Sequence, residues 1–418
     1  MLLAALLAVT AGCAEIPGIP GGGARPSAAP SHPAYDPTAA DYAAVEKLLA
    51  ARATAALQGD EAAFLATVDA RDKKLVGQQK TIFANLQELP VTSFAYDVKS
   101  TEDAPDEVRN DGVLFAPRVV EVARLEQAHR GPVTNATDMT FVRHDAGWVI
   151  GRDRAAPTGR YSRPWFGGPV EAATGRSVVV VTELDDPDGA EKLLSRVTSA
   201  RLAIKKTLRS VWRGEDAEVP LLDDATYNGQ PPGNTFEGNG GAAAVTYRVD
   251  TTGPAKTTVS PFAGTVIKDN PVASNRLTTD DHTLRHELTH VYGPVLVPTW
   301  VREGLAEHLA GCRSNVCGED KERDRLLAHE RALPTDDEWG EEGQTDYAIS
   351  HAAVSWLIDE NGGMEKFLGF CNDFYLHMPS GSDSFHEGTG KALQASYGLT
   401  EKQLLNGTWT WFEALPSG

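Results

Sequence analysis

Residues 284–311 read LRHELTHVYGPVLVPTWVREGLAEHLAG and hold the side chains best suited to chemistry. His286 and His290 stand four apart, so on a helix both imidazoles share one face and can address one ion. Glu287 follows the first histidine, about a third of a turn round, within reach of a water on that ion. This is the H-E-x-x-H spacing, in which the glutamate serves as general base. The residues between and after them, Leu288, Thr289, Val291 and Tyr292, carry no charge, as suits a helix buried beside a metal.

Catalytic zinc takes three protein ligands and keeps one position open. GPVLVP breaks the first helix, and Pro298 opens a second one, TWVREGLAEHLAG, that can pack back across it. Glu303 lies far enough after His290 for a turn and the start of that returning helix, and its carboxylate completes a His₂Glu set for one Zn²⁺. Glu307, one helical turn further on the same face, suits a carboxylate that accepts a hydrogen bond from the far nitrogen of a ligand histidine. His308 is a rival third ligand, although its place beside Glu307 turns it off that face. The bland alternative is an amphipathic helix pair with solvated His and Glu.

HELTH followed by PTWVREGLAEHL resembles the gluzincin metallopeptidases, in particular the peptidase-MA-like domains of exported bacterial proteins. The resemblance implies peptide-bond hydrolysis, Zn²⁺ as cofactor and the glutamate of the W-x-x-E-G segment, here Glu303, as third ligand. It also implies a Tyr or His downstream that stabilises the oxyanion. TDYAISHAAVSWLIDENGG offers Tyr347 and His351 one turn apart, and relatives favour a Tyr at the start of this helix, so Tyr347 is the expected residue. Packing alone also accounts for a tyrosine there. His386–Glu387 lacks a second histidine at helical spacing and reads as a helix-start surface feature.

The elements that must position this site divide the chain of 418 residues into two expected domains and a leader. A net charge of −19 argues against a nucleic-acid partner, which needs concentrated Lys and Arg. MLLAALLAVTAG is too short to span a membrane and suits a signal-peptide core. Thr10, Ala11 and Gly12 before Cys13 resemble a bacterial lipobox, which implies residues 1–13 as a lipoprotein signal with Cys13 lipidated. The expected location is then the extracytoplasmic face of the cell membrane, held by a lipid anchor, or, with a plain signal, outside the cell. Peptides or proteins of the cell envelope are the expected substrates.

Residues 14–38, rich in Pro, Gly, Ala and Ser, read as a disordered tether. Over 39–158, helices come first (DYAAVEKLLAARATAAL, ended by Gly59, then a helix capped by Asp60). A connecting stretch and strands of period two follow in SFAYDVKS, GVLFAPRVVEVARLEQA and TDMTFVRHDAGWVIGRD. That α+β order and the closing hairpin with Trp148 resemble the SnoaL-like, nuclear-transport-factor-like cone fold, which serves as enzyme, small-molecule binder or inert partner domain. No acid–base pair stands out in it.

The Pro and Gly density of 159–176 predicts a linker. Residues 177–418 then form the zincin-like (gluzincin) domain: SVVVVTEL as a buried strand, an amphipathic helix from Ala190, strands AAAVTYRVD and TTVSPFAG, the metal motif, and a mostly helical C-terminal subdomain. Lipobox, SnoaL-like domain and peptidase domain in this order resemble lipoproteins of high-GC Gram-positive bacteria. In an oxidising compartment a Cys312–Cys317 bridge with Cys371 as a buried free thiol is one arrangement, and the pairing stays open.

Overall fold

The computed structural model describes residues 37–99, 108–109, 112–126, 132–155, 163–176, 178–184, 189–209, 225–228, 244–250, 262–269, 281–294, 297–311, 327, 331–336, 344–377 and 384–414. The expected signal segment with Cys13, nearly all of the expected tether, and Cys312 and Cys317 lie outside them. The fold is α+β: a helix-first module with one sheet, then a second sheet followed by helices. No described helix is long and apolar enough to cross a membrane.

The first helix, α1 (Ala39–Gln58), starts at a reciprocal capping box. Thr38 Oγ1 accepts from the Asp41 amide, while Asp41 accepts from the Thr38 amide at 2.9 Å. Gly59, at φ 71, closes the helix in the left-handed conformation that glycine adopts without strain. Asp60 then caps the short α2 (Glu61–Leu65), as expected. The stretch read as a connection is instead a third helix, α3 (Lys73–Glu88), capped by Asp72. Its apolar stripe of Leu75, Ile82, Phe83 and Leu86 is diluted by Gln79 and Asn85, which are also buried, and that obscured the period in the sequence.

Six strands follow: β1 (Val91–Lys99), β2 (Val108–Arg109), β3 (Gly112–Phe115), β4 (Arg118–Leu125), β5 (Val133–His144) and β6 (Gly147–Ala155). They form one antiparallel sheet in the order β1-β4-β5-β3-β2, with β6 beside β5. The Asp145–Gly147 turn sits where expected, and Trp148 Nε1 donates to Asp41 Oδ1 at 3.2 Å, tying the closing hairpin to the start of α1. The module's centre is charged. Arg163 reaches Asp153 Oδ1 at 2.8 Å and Glu121 Oε2 at 3.4 Å, and buried Arg52 bonds Gln79, Thr67 and Tyr96. Burial pushes the Glu121 carboxyl up to about 7 against the lowering pull of Arg163.

The expected linker at 159–176 is, over its described part, no linker. Trp165 is fully buried against Phe94, with ring centroids 5.7 Å apart, and Asn85 donates to the carbonyls of Trp165 and Gly168. The chain then enters β7 (Val170–Gly175), which pairs with β8 (Val178–Glu183). The second sheet therefore starts before residue 177. Its order is β10-β11-β9-β8-β7, with β9 (Ala225–Asn228) running parallel between β8 and β11 (Phe262–Asp269). The edges β7 and β10 (Ala244–Asp250) are antiparallel. The last strand lies later than the expected TTVSPFAG and shares only Phe262–Gly264 with it among the described residues.

The run of valines in β8 has a direct physical reason. Val179 and Val181 join Trp165, Phe94 and Ile82 in the core of the first module. Val178 and Val180 join the core of the second, with Leu193, Leu284 and Leu288. A strand buried on both faces shows no alternation. The two modules thus share a core across one sheet. Truncating Trp165 to Ala empties the junction and is expected to lower stability by about 3–5 kcal/mol. Denaturant unfolding of the two proteins measures that loss as a drop in midpoint at unchanged slope.

Candidate metal centre

Four layers of helix build the site. The amphipathic α4 (Gly189–Arg209) lies over β7 and β8, and α5 (Asp281–Tyr292) packs on it. Arg196 of α4 pairs with Asp281 in the first turn of α5 at 2.7 Å. Leu284, Leu288 and Val291 anchor α5 in the core, which leaves His286 and His290 on another face. Gly293 ends α5, and Pro298 begins α6 (Thr299–Ala310), as the sequence predicts. Pro298 offers no side-chain cap; Asp336, from a distant loop, takes the amide of Thr299 at 2.6 Å instead. The next helix, α7 (Gln344–Asp359), packs against the far side of α6. That approach requires Gly304, because a Cβ there would meet the Ser350 carbonyl oxygen at 2.3 Å.

This packing brings His286, His290 and Glu303 together. The three facing atoms form a nearly regular triangle. His286 Nε2 and His290 Nε2 are 3.1 Å apart, and Glu303 Oε2 lies 3.2 Å from the first and 3.1 Å from the second. Ligands about 2.0–2.1 Å from a tetrahedral zinc lie about 3.3–3.4 Å from one another, so the triangle is close to the size one ion requires. The donor set fits the same ion, two imidazole nitrogens and a carboxylate oxygen. Arg302 Nε donates to the other carboxylate oxygen of Glu303 at 3.2 Å, which leaves Oε2 turned to the histidines.

Glu307 touches the far nitrogen of His286. Its Oε1 lies 2.9 Å from His286 Nδ1; in the neutral ring that a metal requires, that nitrogen donates and Nε2 turns its lone pair to the triangle. Its other oxygen, Oε2, lies 3.0 Å from His282 Nε2, a contact the sequence reading missed. A signal was present, since His282 stands four residues before His286, as His286 does before His290. In contrast, His290 Nδ1 is buried with no hydrogen-bond partner.

The electrostatics favour a cation among these groups. Burial opposes charge on Glu303, yet the charge of His290 and hydrogen bonds from both histidines hold its carboxyl well below the usual range. Burial likewise opposes ionised Glu307, and the hydrogen bonds from His282 and His286 bring it low. For His286, burial acts against the imidazolium, but the hydrogen bonds to Glu303 and Glu307 outweigh it and raise the group well above its ordinary value. Two ionised carboxylates in a largely buried cluster are stabilised by positive charge, whether a proton or a metal.

The other expected residues fall as follows. Glu287 is buried on α5 directly after His286. Tyr347, in the first turn of α7, places its ring centroid 6.1 Å from that of His286. His351, one turn on, is buried in α7. His308 is not in the cluster, and its Nδ1 lies 2.9 Å from Ser355 Oγ on α7. Cys371 is a buried free thiol in α8 (Gly363–His377), its ionisation pushed far up by burial. His386 and Glu387 lie in the first turn of α9 (Ser384–Tyr397), and α10 (Glu401–Ala414) closes the chain with Trp409 and Phe412 buried as core. No family model, no curated protein and no solved structure matches this chain.

Proposed function

We propose that the chain is an exported zinc metallopeptidase of the gluzincin type, carrying a SnoaL-like module in front of the catalytic one. The observation that carries this reading is the triangle of His286 Nε2, His290 Nε2 and Glu303 Oε2, on two helices whose sequence has the H-E-x-x-H and W-x-x-E-G pattern. These three residues would hold one Zn²⁺, which would supply Lewis acidity towards a peptide carbonyl and lower the pKa of a water towards neutrality.

The chain's own residues do the rest. Glu287 would act as general base, taking a proton from the attacking water on its carboxylate and returning it to the leaving amine. Tyr347, beside His286, donates its phenolic hydrogen to the oxygen on which charge develops. Glu307 keeps His286 protonated on Nδ1 and oriented. A lipid anchor at Cys13 would hold the enzyme at the outer face of the membrane, among peptide or protein substrates of the envelope.

Metal analysis by mass spectrometry on protein purified without added metal tests the reading, together with cleavage of a peptide library. About one zinc per chain, with cleavage lost to a chelator and restored by zinc, supports it. Protein that takes up no zinc even when it is offered ends the reading. Stoichiometric zinc without any cleavage reduces the site to a structural one.

A further inference from the structure

His282 lies outside the ligand set, yet it closes a chain of contacts that ends on it. Glu307 bridges two rungs of a histidine ladder: Oε1 to His286 Nδ1 at 2.9 Å and Oε2 to His282 Nε2 at 3.0 Å. His282, His286 and His290 follow one another at one-turn intervals along α5, and the first two rings are 6.4 Å apart. Glutamate has three rotatable bonds, and a carboxylate held through one oxygen alone can swing about the last of them. Held through both oxygens it has a single orientation.

We propose that His282 is a positioning residue for the metal centre, acting through Glu307. Its Nε2–H fixes the carboxylate plane, and the fixed carboxylate holds His286 in the tautomer that offers Nε2 to the ion. The role rests on the metal reading above. It matters more here than in a site where every ligand is braced, because His290 Nδ1 has no partner. Of the two imidazoles, His286 is the one braced at Nδ1, and Glu307 is the brace. A ligand's direct outer partner, here Glu307, contributes about 10–100-fold to metal affinity, and His282 acts through it.

Cobalt(II) titration of the whole protein, read by visible absorption, tests this on wild type, His282→Leu and His282→Gln. Leucine removes the donor and keeps an apolar side chain of similar size, whereas glutamine puts an N–H at comparable reach. Wild type is expected to bind one cobalt with a tetrahedral spectrum. His282→Leu is expected to bind more weakly, by up to about 10-fold, the lower end of what a ligand's direct partner contributes, with altered bands. His282→Gln is expected to restore both affinity and spectrum.

Wild-type affinity and spectrum in His282→Leu overturn the inference and leave the metal reading standing. Equal weakening in both variants, matched by equal loss of thermal stability in the metal-free proteins, also overturns it, since the residue then serves folding alone. Wild type that binds no cobalt overturns the metal reading and this inference with it.

Discussion

Glu287→Gln is expected to keep its zinc and lose hydrolysis, with kcat/KM falling by about 10²–10⁴. The amide is the same size as the carboxylate, so buried Glu287 can be replaced without a cavity and without moving the helix face that carries His286 and His290. What changes is basicity: a carboxylate can hold the proton taken from water, and a carboxamide cannot. Zinc content and peptide cleavage are therefore measured on the same preparation. Retained zinc with lost cleavage assigns the base. Full activity in this variant would remove Glu287 from the chemistry and with it the proposed mechanism.

Removal of a ligand gives the second large effect. His290→Ala and Glu303→Ala each leave two donors of the triangle where catalytic zinc needs three. The loss of zinc affinity is expected to exceed the about 10–100-fold that loss of an outer hydrogen-bond partner costs. Glu303→Ala is the sharper of the two, because it tests the contact between two helices rather than the spacing on one. Mass spectrometry of the purified variants should find zinc well below one per chain in both. Zinc retained in Glu303→Ala would require a different third ligand, and His308 is poorly placed for it while its Nδ1 stays 2.9 Å from Ser355 Oγ. Paired loss in the two variants would join the two helices into one site.

Much of the centre was legible because helical period is a local property. His286, Glu287 and His290 share a helix whatever surrounds it, and Glu303 and Glu307 share the next one. The boundaries were also legible where a cap or a breaker sets them, at Gly59, Asp60, Pro298 and the Asp145–Gly147 turn. His282 escaped notice although its spacing was visible, because its meaning depends on Glu307 arriving from another helix. The helix over Lys73–Glu88 was missed because Gln79 and Asn85 are buried for partners distant in sequence, Arg52 and Asp153 for one, the backbone of Trp165 and Gly168 for the other.

The junction was misread for a related reason. Pro and Gly density marks a chain that turns sharply, and it does not distinguish a free linker from a packed corner. Only the fold places Trp165 against Phe94 and feeds the following residues into β7. The strand Ala225–Asn228 is too short to announce itself, and it exists because β8 and β11 flank it in parallel register.

Sequence by itself therefore determined which side chains share a helix face, where several helices start and stop, and which donor types are available to an ion. Tertiary structure alone decided that Glu303 meets the two histidines, that Glu307 holds His286 on one side and His282 on the other, that His308 turns away, and that both modules bury one strand between them. The division has a physical origin. Backbone periodicity acts over one or two turns, whereas the meeting of α5, α6 and α7 depends on close packing across the core, set by contacts such as Gly304 against Ser350.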